Sequence, residues 1–296
     1  MRLFVTGASG LVGRRLLAHA AAAETADIVA LSRREQTPLA GVRWARGDLR
    51  EPGLWRSQLG PGVVVAHLAA ATGAAAAAEM HAVNAEATHR LVAACEATGV
   101  AGLLFVSSIA ARFAEDLDYP YAASKRAAEA HVRAAALPTR IVRPTMVLGP
   151  GSPILARLRT LACAPRPIVI GSGRARVQPL GADALGAELA HQLLAPAAFG
   201  GQTCEIGGPR VLTIEELLHR VREAAGRPPA RAVRLPHALL RALVAGARAV
   251  LGHRLPLHPG QLASFVRDGV AEPGPAGEPP IATPGPFEPL LAAEAG

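Results

Sequence analysis

Short runs of β-branched and aliphatic residues alternate with longer alanine-rich amphipathic stretches through the first half of the chain. That is the pattern of βαβ units whose strands are buried on both faces. The runs predict strands over residues 3–6, 28–32, 63–68, 103–107, 140–143 and 168–170, with a further short strand before Asp48. The stretches predict helices over 11–22, 82–98 and 122–136. The alanine run 69–78 is open, because helix propensity competes there with the loop that follows a buried strand.

Beyond residue 175 the alternation weakens. Helices are expected over 183–194 and 214–225, the second opened by Thr213 as N-cap with Glu216 three residues on, a capping box. Residues 236–251 form an amphipathic helix with Leu239, Leu240, Leu243, Val244 and Leu251 on apolar positions. Packing of a small C-terminal lobe is its expected use, with a membrane surface as the alternative. From Glu272 prolines and glycines dominate, which predicts an extended or partly disordered tail. The expected fold is therefore α/β: a doubly wound parallel sheet in 1–175, a small, mostly helical lobe in 176–271 interleaved with it, and a tail in 272–296.

Length and composition fit a globular enzyme. The 296 residues, half of them hydrophobic, can bury a sizeable core. The net charge of +8 comes from arginines spread from Arg2 to Arg267 without a dense run, and aromatics make up only 3% of the chain. Neither base stacking nor a basic stripe points to nucleic acid. No apolar stretch reaches the length of a membrane span, and strand-like sequence starts at Arg2 with no leader before it, so a cytoplasmic protein is expected. Cys95, Cys163 and Cys204 are too scattered for a disulfide framework or a zinc site. The ten histidines show no metal-binding spacing, and the serines lack a GxSxG elbow. No metal is expected.

The chemistry concentrates in two places. Residues 6–13, TGASGLVG, lie between the first strand and the first helix. Gly7 permits the tight turn, Gly10 lets backbone approach a pyrophosphate, and Gly13 allows close packing of helix on strand. The free amides at the helix start then face the phosphates. At the end of the second strand, Arg33 and Arg34 offer planar forks to a 2′-phosphate, which favours NADP(H). Glu35 leaves NAD(H) as the alternative. Asp48 and Leu49 follow the next strand, near where an adenine would lie.

The second place holds Tyr121 and Lys125, four residues apart on one face of a helix. Among 31 basic residues Lys125 is the lone lysine, and Tyr121 is one of two tyrosines. A nearby ammonium favours the phenolate and would bring the tyrosine toward neutral pH. Ser108, with Ser107 in reserve, ends a strand at the same sheet edge, where a hydroxyl would hold a substrate oxygen. His67 is expected to be a packed or backbone-bonded residue.

TGASGLVG, HLAA at 67–70, VN at Val83-Asn84, VSS at 106–108, YAASK at 121–125 and RPTMVLGPG from Arg143 together resemble the short-chain dehydrogenase/reductase superfamily, in its extended, epimerase/dehydratase-like branch. The resemblance implies a Rossmann fold, Tyr121 as acid-base residue, Lys125 as its tuner and ribose ligand, and Ser108 as substrate anchor. It also implies cofactor contacts from Thr6, Gly7, Ser9, Gly10, Leu11, Val12, Gly13, Leu68, Ala69, Ala70, Asn84, Ser107 and Pro144. Gln178-Pro179-Leu180, Glu205 to Pro209, Thr213 to Leu218 and the segment 258–271 are similar to a bacterial subgroup related to the nucleotide-binding accessory subunit of respiratory complex I.

What these features imply is an NAD(P)-dependent oxidoreductase moving hydride between nicotinamide and a carbonyl or hydroxyl carbon of a small-molecule substrate. The alternatives are a nucleotide-sugar epimerase or dehydratase that retains NAD, and a non-catalytic NADPH-binding protein. Substrate choice is expected to lie in the loop 71–80, which carries Glu79, and in the region after Gly149, which carries Arg157. A homodimer built on helices beside the active-site helix is a further expectation.

Overall fold

The computed structural model describes residues 1–23, 27–73, 75–113, 119–196, 199–251, 259–273, 280–283 and 290–291. Six strands alternate with helices along the first half: β1 (Arg2–Thr6), β2 (Asp27–Ser32), β3 (Val42–Arg46), β4 (Val63–His67), β5 (Gly102–Val106) and β6 (Thr139–Pro144). Later segments complete the sheet, as β11 (Thr203–Gly207) pairs with β6 and β14 (Ile281–Ala282) with β11. All eight strands are parallel, in the order β14-β11-β6-β5-β4-β1-β2-β3. This is the doubly wound arrangement, with the direction of winding reversing between β1 and β4.

Alternation along the strands divides the core in two. Leu3 and Val5 of β1 point toward α1 (Leu11–Ala22) and α6 (Ala182–Leu193), where Leu16, Leu17, Leu185 and Leu189 close one layer. Phe4 points the other way, toward α3 (Ala87–Thr98) and α4 (Pro120–Arg133), where Trp55, Leu91 and Val132 close the second. Because both faces are covered, the strands read as continuous apolar runs. Gly186 lets α6 lie directly on α1: a Cβ there would come within 2.6 Å of the Arg15 Cβ.

A third core lies beyond the carboxyl edge of the sheet. It joins α5 (Pro153–Ala162), α7 (Ile214–Ala224) and α8 (His237–Leu251) through Leu155, Leu158, Leu217, Val221 and Val244. Around it run three short ladders: β7 (Val147–Leu148) with β10 (Leu180–Gly181), β9 (Arg176–Val177) with β12 (Leu212–Thr213), and β8 (Ile168–Ile170) with β13 (Val233–Leu235). The expected capping box opens α7: Glu216 accepts from the Thr213 amide at 2.7 Å, and Thr213 Oγ1 accepts from the Glu216 amide at 3.2 Å. On α8, Leu240 and Val244 pack inward while Leu239 and Leu243 are exposed. The Leu251 side chain lies outside the described ones.

Several expectations need correction. Residues 168–170 do form a strand, but it pairs with β13 outside the main sheet. The place beside β6 belongs to β11, whose glutamate and cysteine hide its strand character. The helix expected from residue 82 begins earlier, at α2 (Ala77–His81), and passes through a π-helical turn over Ala82–Glu86. The alanine run before it resolves as a loop to Ala76, with Ala74 outside the described residues. In the tail, Ile281 and Ala282 form the edge strand, while 274–279, 284–289 and 292–296 lie outside the described residues. Among the described residues no helix is long and apolar enough to cross a membrane.

Candidate active site

The carboxyl ends of β1, β2 and β4 open onto a groove of about 420 Å³. Thr6, Gly7, Ser9 and Gly10 form its floor at the start of α1. Gly7 has φ +69°, and a Cβ there would lie 2.5 Å from the Ala69 amide nitrogen, so the turn and the loop after β4 both require glycine. Gly13 lies beneath the groove, its missing Cβ 2.3 Å from the Gly7 carbonyl oxygen, which lets α1 aim its amino end along the opening. Arg33, Asp48 and Leu49 line one end and Leu68, Ala69 and Ala70 the other. Arg34 and Val12 do not line this groove, and Leu11 lines a neighbouring cavity instead.

Asp48 is held by Arg50, whose Nη2 donates to it at 2.7 Å and whose backbone amide donates at 2.9 Å. These bonds hold its carboxyl at about 2, below the ordinary aspartate value. Arg33 adds positive charge near the same carboxylate.

The loop after β4 is pinned from behind. The Asn84 side chain accepts from the Ala71 amide at 2.6 Å and donates to the Ala71 carbonyl and to Ser124 Oγ, both at 2.9 Å. Ser124 donates in turn to the Tyr121 carbonyl at 2.8 Å. Asn84 is buried and does not line the groove; it joins the loop after β4 to α4 by holding both. His67 is packed, as expected, but its ring bonds to hydroxyls: Nδ1 lies 2.6 Å from Thr6 Oγ1 and Nε2 2.8 Å from Thr88 Oγ1. Burial, with the nearby Lys125 charge, lowers its pKa to about 3, so the ring is neutral.

A second cavity of about 390 Å³ meets the groove at Thr72 and extends toward the third core. Ser107, Ser108, Tyr121 and Pro144 line it. Burial pushes the Tyr121 phenol pKa up, and the nearby Ser108 side chain opposes that shift. Ser107 faces away: its hydroxyl donates to Glu129 Oε1 at 2.6 Å.

Lys125 lines neither cavity. Its Nζ donates to the Val106 carbonyl at 2.8 Å and lies over the Phe105 ring. Burial lowers its pKa to about 7, partly countered by Glu129.

The region after Gly149, with Arg157, lines this cavity as the sequence suggested, but the rest of its far wall was not foreseen. Tyr119 stands beside Tyr121, ring centroids 5.8 Å apart, with the Ser264 side chain near its hydroxyl. Phe265 and Ser264 come from the 3-10 helix Pro259–Phe265, and Ile154 and Arg157 from α5. They are remote in sequence, and only the packing of the third core brings them together. Of the segment 258–271, His258 lies outside the described residues.

A glycine turn at the point where a doubly wound sheet reverses, with a serine and tyrosine facing the adjoining cavity, defines the class of dinucleotide-dependent oxidoreductases built on the Rossmann fold. The chain belongs to the NAD dependent epimerase/dehydratase family, whose model matches residues 3–178. It is thus an enzyme of the NAD(P)-dependent oxidoreductase type.

A curated relative from Stenotrophomonas maltophilia (strain K279a), a 2-alkyl-3-oxoalkanoate reductase, is 31% identical over 254 residues, covering 77% of each chain. Two solved structures share the fold. A double mutant of a dTDP-glucose 4,6-dehydratase from Streptomyces venezuelae, with NAD bound, is 24% identical with TM-score 0.65, covering 80% of this chain and 84% of that one. A UDP-N-acetylglucosamine 4-epimerase from Bacillus cereus is 21% identical with TM-score 0.63, covering 80% and 86%. The finer likeness to the complex I accessory subunit rests on its motifs alone.

Proposed function

We propose that this enzyme reduces the carbonyl of a largely apolar substrate, or oxidises the corresponding alcohol, with Tyr121 as the acid-base residue and Ser108 as its partner on the substrate oxygen. The observation that carries the reading is that Ser108 and Tyr121 stand together on the wall of a cavity that adjoins the dinucleotide groove. The cofactor, when bound, supplies the hydride that reduces the carbonyl carbon. Ser108 and Tyr121 then hold the oxygen, and the tyrosine hydroxyl gives up its proton as charge develops there. Burial keeps that phenol protonated through neutral pH, the state a proton donor needs. The groove residues fit a dinucleotide: glycine backbone at a helix start would hold the pyrophosphate, and Arg33 at the groove's end would pair with a 2′-phosphate, which supports NADP(H) over NAD(H).

Kinship with a 2-alkyl-3-oxoalkanoate reductase supports reduction over the epimerase or dehydratase alternative. So does the cavity lining. A nucleotide sugar brings two phosphate charges, whereas one charged side chain lines the cavity among the described residues. The test is Tyr121→Phe. Turnover should fall by about a hundredfold or more, while cofactor affinity by fluorescence titration stays near the wild-type value. Undiminished turnover by the variant would sink the reading. Turnover of nucleotide sugars without added cofactor, by protein that retains NAD through purification, would favour the epimerase instead.

A further inference from the structure

The substrate cavity has two polar ends on an apolar wall. One is the Ser108–Tyr121 pair. The other gathers residues from three separate elements: Tyr119 at the start of α4, Ser264 on the 3-10 helix, and Arg157 on α5. Between and around them lie Ile109, Phe113, Met146, Val147, Ile154 and Phe265. Among the described lining residues, Arg157 is the one that carries a charge, and it is half-buried. Its charge is felt at the Tyr119 hydroxyl, where it opposes the upward push of burial.

A guanidinium offers a planar fork of donors that matches a carboxylate. Two hydroxyls beside it can donate to the remaining lone pairs of such a group. A neutral substrate would gain little from that arrangement, and a nucleoside diphosphate would find no second cation among the described lining residues. The two tyrosine rings are 5.8 Å apart, so the two polar ends suit groups a few bonds from each other on one small molecule.

We infer that Arg157, with the Tyr119 and Ser264 hydroxyls, binds the carboxylate of an oxo or hydroxy acid whose reacting oxygen lies at Ser108 and Tyr121 and whose alkyl remainder fills the apolar wall. This assignment rests on the hydride-transfer reading for the reacting end and is independent of it for the anionic end. In the oxidative direction a 3-hydroxy acid and NAD(P)⁺ give the 3-oxo acid, NAD(P)H and a proton.

The experiment pairs kinetics with binding on the full chain and its cofactor. Oxidation of 3-hydroxyoctanoate is compared with that of its methyl ester, and calorimetric binding of octanoate with that of 1-octanol, for wild type, Arg157→Gln and Arg157→Lys. Thermal melts with cofactor establish that each variant is folded.

Wild type should prefer the acid over the ester in kcat/KM by about tenfold to a hundredfold. Arg157→Gln should lose that preference and weaken octanoate binding by a similar factor, and Arg157→Lys should keep part of both. Equal kcat/KM for acid and ester, or octanoate held no better by wild type than by Arg157→Gln, overturns the assignment and leaves hydride transfer standing. A lysine variant indistinguishable from the glutamine one also overturns it, because charge would then not be the cause. Arg157-dependent octanoate binding without oxidation of either compound supports the anion site and sinks the hydride-transfer reading.

Discussion

The Lys125 amine donates to the Val106 carbonyl at 2.8 Å, at the end of the strand that leads into Ser107 and Ser108. The same amine lies 4.7 Å from the centroid of the Phe105 ring. These contacts place it under the site, in surroundings that lower its pKa to about 7, against an ordinary lysine value of 10.5.

Stability should depend on this group in a definite direction. Between pH 7 and 10 the unfolded chain binds a proton at Lys125 that the folded chain does not, so acidification favours unfolding across that window. Removing the group removes the dependence. The stability of wild type relative to Lys125→Met should therefore rise with pH by up to about 1.4 kcal/mol per unit. Urea unfolding at pH 7, 8 and 9 measures the difference, in which shared titrations such as Cys95 cancel. A constant difference would mean that Lys125 keeps its charge in the fold.

The glycine turn predicts a graded pair. A Cβ at Gly13 would fall 2.3 Å from the Gly7 oxygen and 2.8 Å from the Ala8 Cα, both backbone, so α1 must move away from β1. At Gly10 the nearest atom is the same oxygen at 3.2 Å, which needs only a small adjustment. Gly13→Ala should cost about 1–3 kcal/mol, the usual range for overpacking, and loosen cofactor binding, while Gly10→Ala melts close to wild type. Equal melting temperatures for the two variants would contradict the packing argument.

Arg33 lines the dinucleotide groove, and Arg34, exposed beside it, does not. Arg33→Ala should thus weaken NADPH binding by about tenfold or more with little effect on NADH, since only the 2′-phosphate gains from the guanidinium. Arg34→Ala should leave both nearly unchanged. Parallel loss of both cofactors in Arg33→Ala would remove the argument for NADP(H).

What was legible in the chain follows from how local each signal is. The parallel sheet shows through because strands buried on both faces leave apolar runs, and TGASGLVG and YAASK show because their residues are contiguous in the chain. β11 was hidden by Glu205, a buried carboxylate whose partner Arg143 lies on the neighbouring strand 3.4 Å away. Ile168–Ile170 looks like a core strand, yet its partner, Val233–Leu235, is set by packing that no local pattern reports. Tyr119, Arg157 and Ser264 meet for the same tertiary reason. Even Lys125, singled out by its rarity, gave no sign that its amine would bond backbone and line neither cavity.

Behind the serines, Glu129 accepts hydrogen bonds from Ser107 at 2.6 Å, from Arg143 Nε and Nη2 at 2.8 and 2.7 Å, and from Arg133 at 2.6 Å. Its side chain is 1% exposed. Burial raises its pKa, and the hydrogen bonds together with the Arg143 charge outweigh that, so it stays below the ordinary glutamate range. Its stabilising contribution is therefore complete above that range and is lost as pH falls through the lowered folded value. Glu129→Gln keeps the shape and leaves Arg143 only the more distant Glu205 carboxylate as countercharge, which should cost up to about 3 kcal/mol at pH 7. The gap between wild type and variant in urea unfolding should narrow as pH is brought below 4. A gap that stays constant would assign the loss to packing, and Ser107 would then owe its position to the shape of the residue at 129 rather than to its charge.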